Sequence, residues 1–164
     1  MNTEQALKTA IEYEKRVRDV YVEARDETID PEGKRLFSLM ADEEHGHVIY
    51  LESKLSHWVT QQKISLDDFD AVRPPDDDIQ QAVEKLQDKL LMEGRQEELA
   101  LLNRALEVET ETSQFYARMV AELPMPGKEL FRRFLEIETG HLSLVQAEIE
   151  YLERKDAWLK VKNG

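Results

Sequence analysis

The sequence contains no cysteine. Disulfides, thiolate metal sites, iron–sulfur clusters and cysteine nucleophiles are therefore excluded from its chemistry. Glycine and proline are scarce, at 6 and 5 residues, and aromatic residues make up only 7% of the 164 positions. No apolar run approaches the length of a membrane span. Met1-Asn2-Thr3-Glu4-Gln5 has neither the basic nor the apolar stretch of a secretory leader, so a soluble cytoplasmic protein is expected. Basic residues are outnumbered, 22 against 35 acidic ones, for a formal net charge of -13. Such a charge repels phosphates, so neither nucleic acid nor an anionic membrane is expected as a partner. It is compatible with cations, and a solvated acidic surface is its commoner origin.

What remains is charged and helical. Charged residues are 35% and hydrophobic ones 41%, enough for one core in a chain of ordinary domain length. Leu7, Ala10, Ile11, Val17, Val20, Tyr21 and Ala24 recur at helical spacing from Thr3 to about Thr28. Asp30-Pro31-Glu32-Gly33 breaks that helix and suits the start of another. The second runs through Leu36, Met40, Val48, Leu51 and Leu55 to near Thr60. A crossover over 61–94 follows, with Arg73-Pro74-Pro75 as its clearest breaker. Asp76-Asp77-Asp78 offers caps for an extra helical segment near 78–93, carrying Ile79, Val83, Leu86 and Leu90 before Gly94. A further helix is expected from about Arg95 to Glu122. After Leu123-Pro124-Met125-Pro126-Gly127 a last one carries Leu130, Phe134, Leu142, Val145, Ile149 and Leu152. The fold class expected is all-α, a four-helix bundle of two similar helical hairpins joined by a long crossover. Residues 1–164 form one domain on this reading, with repeat halves of about 3–60 and 95–160.

The two halves repeat each other in their polar residues. Ala10-Ile11-Glu12-Tyr13-Glu14 matches Ala105-Leu106-Glu107-Val108-Glu109, and Tyr21 and Tyr116 each stand seven residues beyond the second glutamate. The offset is 95 through Pro31 and Pro126, then 94 from Gly33-Lys34 and Gly127-Lys128 onward. Leu36-Phe37 then matches Leu130-Phe131, and Glu44-His45-Gly46-His47 matches Glu138-Thr139-Gly140-His141. The single slip falls in the turn and keeps each helix in register. Glu14 and Glu44 lie 30 positions apart and Glu109 and Glu138 lie 29 apart, each pair with its turn at the midpoint. Folding the hairpins therefore levels all four along the bundle. Within Glu44-x-x-His47 and Glu138-x-x-His141, both side chains share one helix face.

Register turns these groups inward. Glu14 has Ala10, Ile11, Val17 and Arg18 as helical neighbours, whereas Glu12 has Lys8, Thr9, Lys15 and Arg16. Glu44 sits among Met40, Ala41 and Val48, Glu109 among Ala105, Leu106, Thr112 and Ser113, and Glu138 among Phe134, Leu135 and Leu142. Four clustered carboxylates without counter-charge cost several kcal/mol each or take up protons. Two divalent cations cancel them, and two neutral imidazoles complete the donor set. Oxygen-rich ligation with one nitrogen per ion suits iron or manganese better than tetrahedral zinc. A metal-free buried polar network is the structural alternative, but nothing else in the sequence neutralises four buried acids.

At these residues the chain resembles the ferritin-like superfamily, and within it the rubrerythrin-type domain. One Glu-x-x-His is weak evidence; two copies, each with a partnered Glu-x6-Tyr at matched hairpin spacing, are specific. The resemblance covers nearly the whole chain apart from the crossover. It implies a non-haem di-iron centre held by Glu14, Glu44, His47, Glu109, Glu138 and His141, with Glu44 and Glu138 as bridges and manganese or a mixed pair as alternatives. It implies that Tyr21 and Tyr116 hydrogen-bond ligand carboxylates, where the plain reading makes them core aromatics. The activity implied is reduction of hydrogen peroxide or dioxygen, as an oxidoreductase active under oxidative stress. Many relatives carry a rubredoxin domain recognised by its cysteines. This chain has none, so a separate electron-donor protein is implied, and family analogy adds a homodimer. Relatives often place a further glutamate ligand three residues after Glu109, where this sequence has Thr112. That departure leaves a symmetric six-ligand site and keeps open a ferroxidase of a ferritin-like assembly, or a non-catalytic metal-binding bundle.

Several neighbours have plainer readings. Glu43 lacks a repeat counterpart, since Ile137 stands there; it could orient a ligand histidine, but a surface carboxylate is the simpler expectation. His45 and His57 read as surface histidines and Met40 as core filling. Gly46 and Gly140, beside the histidines, invite the guess of close helix approach. The acidic runs around Asp67-Asp68 and Asp76-Asp78 read as loop and capping residues.

Overall fold

The computed structural model describes residues 1–69, 80–85 and 96–163. Helix α1 spans Thr3–Glu27, α2 Pro31–Gln61, α3 Gln96–Glu122 and α4 Gly127–Asn163. No described residue is in a strand. The all-α, ferritin-like helical bundle expected from the sequence is what forms; the ends of the first three helices and the start of the last fall within a residue or two of those expected, and the last runs on to Asn163. α1 packs along α2, α3 along α4, and α1 against α3 joins the hairpins.

Local chemistry sets the ends. Asn2 caps α1: its side chain accepts from Gln5 N at 2.8 Å while its own N–H donates to Gln5 Oε1 at 3.0 Å. Asp30 caps α2 by accepting from Glu32 N at 3.2 Å, and Pro31 fills the first turn, where no donor is needed. Gln62 ends α2 in the left-handed region at φ 54°. Gly33 and Gly127 hold matching places just after the hairpin turns. A Cβ on Gly33 would meet Thr28 Oγ1 at 3.1 Å, and one on Gly127 would meet Thr3 at 3.2 Å, so both turns close on a missing side chain.

Only parts of the crossover are described. Residues 80–85 are helical, with Ala82 and Val83 buried, as the expected segment near 78–93 requires there. Arg73-Pro74-Pro75, the Asp76–Asp78 caps, Ile79, Leu86, Leu90 and Gly94 lie outside the described residues. The start of the crossover corrects one expectation. Asp68 is more than a loop residue, since it accepts from Lys54 Nζ at 2.9 Å and from the Tyr50 hydroxyl at 3.1 Å. Lys54 is itself buried, so this pairing offsets the cost of its charge. Phe69 follows, edge-on to Phe134 at 5.5 Å and Tyr50 at 5.8 Å.

The core is two apolar clusters with a polar layer between them. The first holds Val17, Tyr21 and Ala24 of α1, Leu36 to Ala41 of α2, Leu101 to Ala105 of α3, and Val145 and Ile149 of α4. The second holds Ala6 to Ile11, Val48 to Leu51, Phe115 to Leu123 and Leu130 to Ile137. On every helix the chain passes from one cluster to the other across the residues singled out from the repeat: Glu14, Glu44 and His47, Glu109, Glu138 and His141. Helical hairpins of matched length place these breaks at one height.

Candidate metal centre

The structure brings all six residues together. Glu14, Glu44, His47, Glu109 and Glu138 are fully buried, and His141 retains 8% exposure. Their potential ligand atoms fall into two groups: Glu14, Glu44, His47 and Glu138, and Glu44, Glu109, Glu138 and His141. Within each group the atoms lie within 4.8 Å of one another. Glu44 and Glu138 belong to both, which is the geometry of carboxylates able to bridge two ions. His47 Nδ1 lies 3.4 Å from Glu44 and 3.5 Å from Glu14, and His141 Nδ1 lies 3.5 Å from Glu44 and 3.8 Å from Glu109. These separations are long for hydrogen bonds and fall within the ~4 Å that two ligands at about 2.1 Å from one ion can span.

The hydrogen bonds that are made leave the centre of the cluster open. The Tyr21 hydroxyl donates to Glu109 Oε1 at 2.8 Å, and Tyr116 donates to Glu14 Oε1 at 2.6 Å. Each tyrosine thus crosses to the glutamate of the other hairpin. The remaining oxygens of Glu14 and Glu109, both oxygens of Glu44 and Glu138, both nitrogens of His47, and His141 Nδ1 have no hydrogen-bond partner among the described residues. Buried polar atoms are seldom left so. Four carboxylates and two imidazole nitrogens facing one buried space fit two divalent cations by charge and by donor chemistry.

Electrostatics describe what the cluster does without cations. Burial, then the charge of Glu14, pushes the Glu44 carboxyl up to about 8. Burial with the charges of Glu14, Glu109 and Glu44 holds Glu138 well above the carboxylate range. Burial also opposes ionisation of Glu14, but close contacts with Glu44, His47 and the Tyr116 hydroxyl outweigh it and bring that carboxyl down to about 2. For His47 burial disfavours the imidazolium, yet the surrounding carboxylates, Glu44 foremost, raise it to about 10. His141 is raised too, because Glu43, Glu44 and Glu109 outweigh its burial. Burial, reinforced by the carboxylates, lifts Tyr21 and Tyr116 well above the usual phenol value, so both remain donors. The metal-free cluster therefore stores protons where cations would sit.

Some neighbours stand as expected and others do not. His45 and His57 are exposed, and Met40 is buried in the first apolar cluster. Cβ atoms added to Gly46 or Gly140 would meet nothing within 4 Å, so close helix approach does not explain these glycines. Thr112 is buried, but its hydroxyl donates to Val108 O at 2.8 Å, which spends it on its own helix. Glu43 corrects the expectation of a surface carboxylate. Its side chain is 5% exposed, and it accepts from His141 Nε2 at 2.9 Å. A signal was present in the repeat: the matching position holds Ile137, an apolar residue where the bundle is closed.

Among the described residues, no helix is long and apolar enough to cross a membrane. Neither the curated proteins nor the solved structures contain a significant match to the chain. The family model described as rubrerythrin matches residues 5–149, a span that includes the whole cluster and both tyrosines. The chain belongs to the rubrerythrin family, whose ferritin-like domain is built to bind iron.

Proposed function

We propose that the chain is a non-haem di-iron oxidoreductase that reduces hydrogen peroxide or dioxygen with electrons from a separate donor protein. The observation that carries this reading is the pair of donor groups sharing Glu44 and Glu138. On it, Glu14 and His47 complete one ion position, and Glu109 and His141 complete the other. Two Fe(II) ions held by these residues would supply two electrons to a single oxidant and so would avoid one-electron products. The protein's own part is placement and insulation. Tyr116 and Tyr21 each fix the Oε1 oxygen of Glu14 and Glu109, leaving the second oxygen of each without a hydrogen bond and able to bind. The apolar clusters on either side exclude water from the layer, which strengthens every charge interaction within it. With no cysteine in the chain, re-reduction falls to a partner that carries its own redox group.

Thr112 favours a second reading. A hydroxyl committed to Val108 O in place of a further carboxylate leaves four protein residues around each ion position, two private and two shared, a symmetric set suited to ferroxidase work. Stopped-flow oxidation separates the readings. Protein loaded anaerobically with two Fe(II) per chain is mixed with peroxide and, in parallel, with dioxygen. Faster reaction with peroxide and no further iron uptake is the expected result for the peroxidase. Equal or faster reaction with dioxygen and continued Fe(II) consumption assigns a ferroxidase, which light scattering would pair with a large hollow assembly rather than a dimer. Slow oxidation by both leaves a non-catalytic metal-binding bundle, and failure to load iron points to manganese or another pair.

A further inference from the structure

The six residues of the cluster repeat between the hairpins, but the carboxylate beside them does not. Glu43 precedes Glu44 on α2, and the matching place before Glu138 on α4 is Ile137. We propose that Glu43 is a positioning residue for His141, and that it makes the ion position of Glu109 and His141 bind more tightly than the position of Glu14 and His47. The inference rests on the reading of the cluster as a two-metal centre.

Geometry carries it. Glu43 reaches from α2 across to α4, where its Oε1 accepts from His141 Nε2 at 2.9 Å. The same oxygen stands 3.8 Å from Nε2 of His47 on its own helix, beyond hydrogen-bonding distance. His47 Nε2 has no hydrogen-bond partner among the described residues, and its ring is steadied by the edge of Phe134 at 5.4 Å. The two rings lie nearly parallel, 12° apart, with their Nδ1 atoms turned to the carboxylates. They differ in what holds the far nitrogen.

That difference has a chemical consequence. A neutral imidazole carries one proton, on either nitrogen. An acceptor at Nε2 keeps the proton there and leaves the Nδ1 lone pair facing the cluster. A carboxylate in that role also makes the imidazole a stronger donor, and loss of such a partner typically weakens metal binding about 10–100-fold. His141 has both advantages and His47 has neither. Two positions matched in donor atoms are therefore unequal in histidine strength.

Co(II) titration of the metal-free protein, followed by visible absorption, tests this. Wild type is expected to bind two ions, one more tightly. Glu43→Ile, which installs the residue of the other repeat, is expected to weaken the tighter step about 10–100-fold and leave the weaker one unchanged. Glu43→Gln, which keeps an acceptor oxygen at the same reach, is expected to recover most of that loss. The exchangeable imidazole N–H signals of Co(II)-loaded wild type give a readout that needs no variant. The His141 proton, held by Glu43, should exchange with water more slowly than that of His47. Equal exchange rates overturn the inference. So do unchanged binding steps in Glu43→Ile, or a Gln variant no better than the Ile one. In those cases, two ions bound by wild type leave the two-metal reading standing; a wild type that binds no pair of ions overturns both.

Discussion

Compared position by position, the α1–α2 hairpin and the α3–α4 hairpin agree at the cluster and diverge around it. Glu14, Tyr21, Glu44 and His47 answer to Glu109, Tyr116, Glu138 and His141. Several packing residues do not: Val20 answers to Phe115, Ala24 to Met119 and Met40 to Phe134. As a result the apolar cluster on one side of the polar layer is mainly aliphatic, and the other is rich in rings. Phe115, Tyr116, Phe131 and Phe134 there lie with centroids 5.6 to 6.2 Å apart in successive contacts. Cores accept such exchanges when total volume is kept. A ligand set has no equivalent latitude, because each donor atom must reach a fixed point.

The largest effects are expected where the halves agree. Glu44→Gln and Glu138→Gln each remove a carboxylate common to both donor groups. Each should abolish tight binding of a metal pair, read as stoichiometry by equilibrium dialysis. Either variant should also leave the metal-free fold as stable as wild type or more so, because these two carboxyls already hold protons there. A variant that keeps two tightly bound ions refutes the ligand assignment.

Protons supply the next test. In the metal-free protein Glu44 is raised from 4.5 to about 8, and His47 from 6.5 to about 10. Between those limits the folded chain holds protons that the unfolded chain has released. The stability these groups contribute is complete below the lower values and is lost as pH rises through the higher ones. Glu14, lowered from 4.5 to about 2, acts oppositely, with a contribution present above 4.5 and lost as pH falls from there through about 2. The Tm of the metal-free protein should therefore decline from about pH 4.5 to about pH 10, and metal should bind more tightly as pH rises. Loaded protein should lack the decline. A metal-free Tm that stays level across this range would sink the account of stored protons.

Packing gives the third test. Phe37 and Phe131 hold the same place in the repeat, and both are fully buried. Replacing either with Ala should cost about 3–5 kcal/mol in urea unfolding. Phe131 contacts the rings of Phe115 and Tyr116, whereas Phe37 has Tyr21 at 6.4 Å. Phe131→Ala should be the costlier by about 0.5–1.5 kcal/mol. The reverse order would mean that the ring-rich cluster relaxes around the gap.

Most of this is legible in the sequence because helices are local. The apolar period places α1 to α4, and hairpins turning midway between Glu14 and Glu44, and between Glu109 and Glu138, must level those residues. Lateral contacts were not legible. The reach of Glu43 from α2 to His141 depends on how closely two helices approach, which periodicity does not encode. Asp68 meets Lys54 only because the crossover doubles back along α2, and aspartate in a connecting segment is more often a cap. Gly46 and Gly140 repeat, yet the space beside them is open, so a repeated small residue alone does not mark close approach.

The smallest expected effect sharpens the comparison most. Tyr21 and Tyr116 tie the hairpins crosswise, each to the glutamate of the other. Replacing either with Phe removes one hydrogen bond to a buried carboxyl, worth about 1.5–3 kcal/mol if that group is ionised. The bond from Tyr116 is the shorter, 2.6 Å against 2.8 Å, so Tyr116→Phe should cost more than Tyr21→Phe. The two losses should also couple in the double variant, because Glu14 and Glu109 face one shared space and loosening one alters the field at the other. Strictly additive losses would mean that the hairpins meet as independent units, each holding its own ligands. Coupled losses would mean that the cluster belongs to neither hairpin and exists only in their pairing.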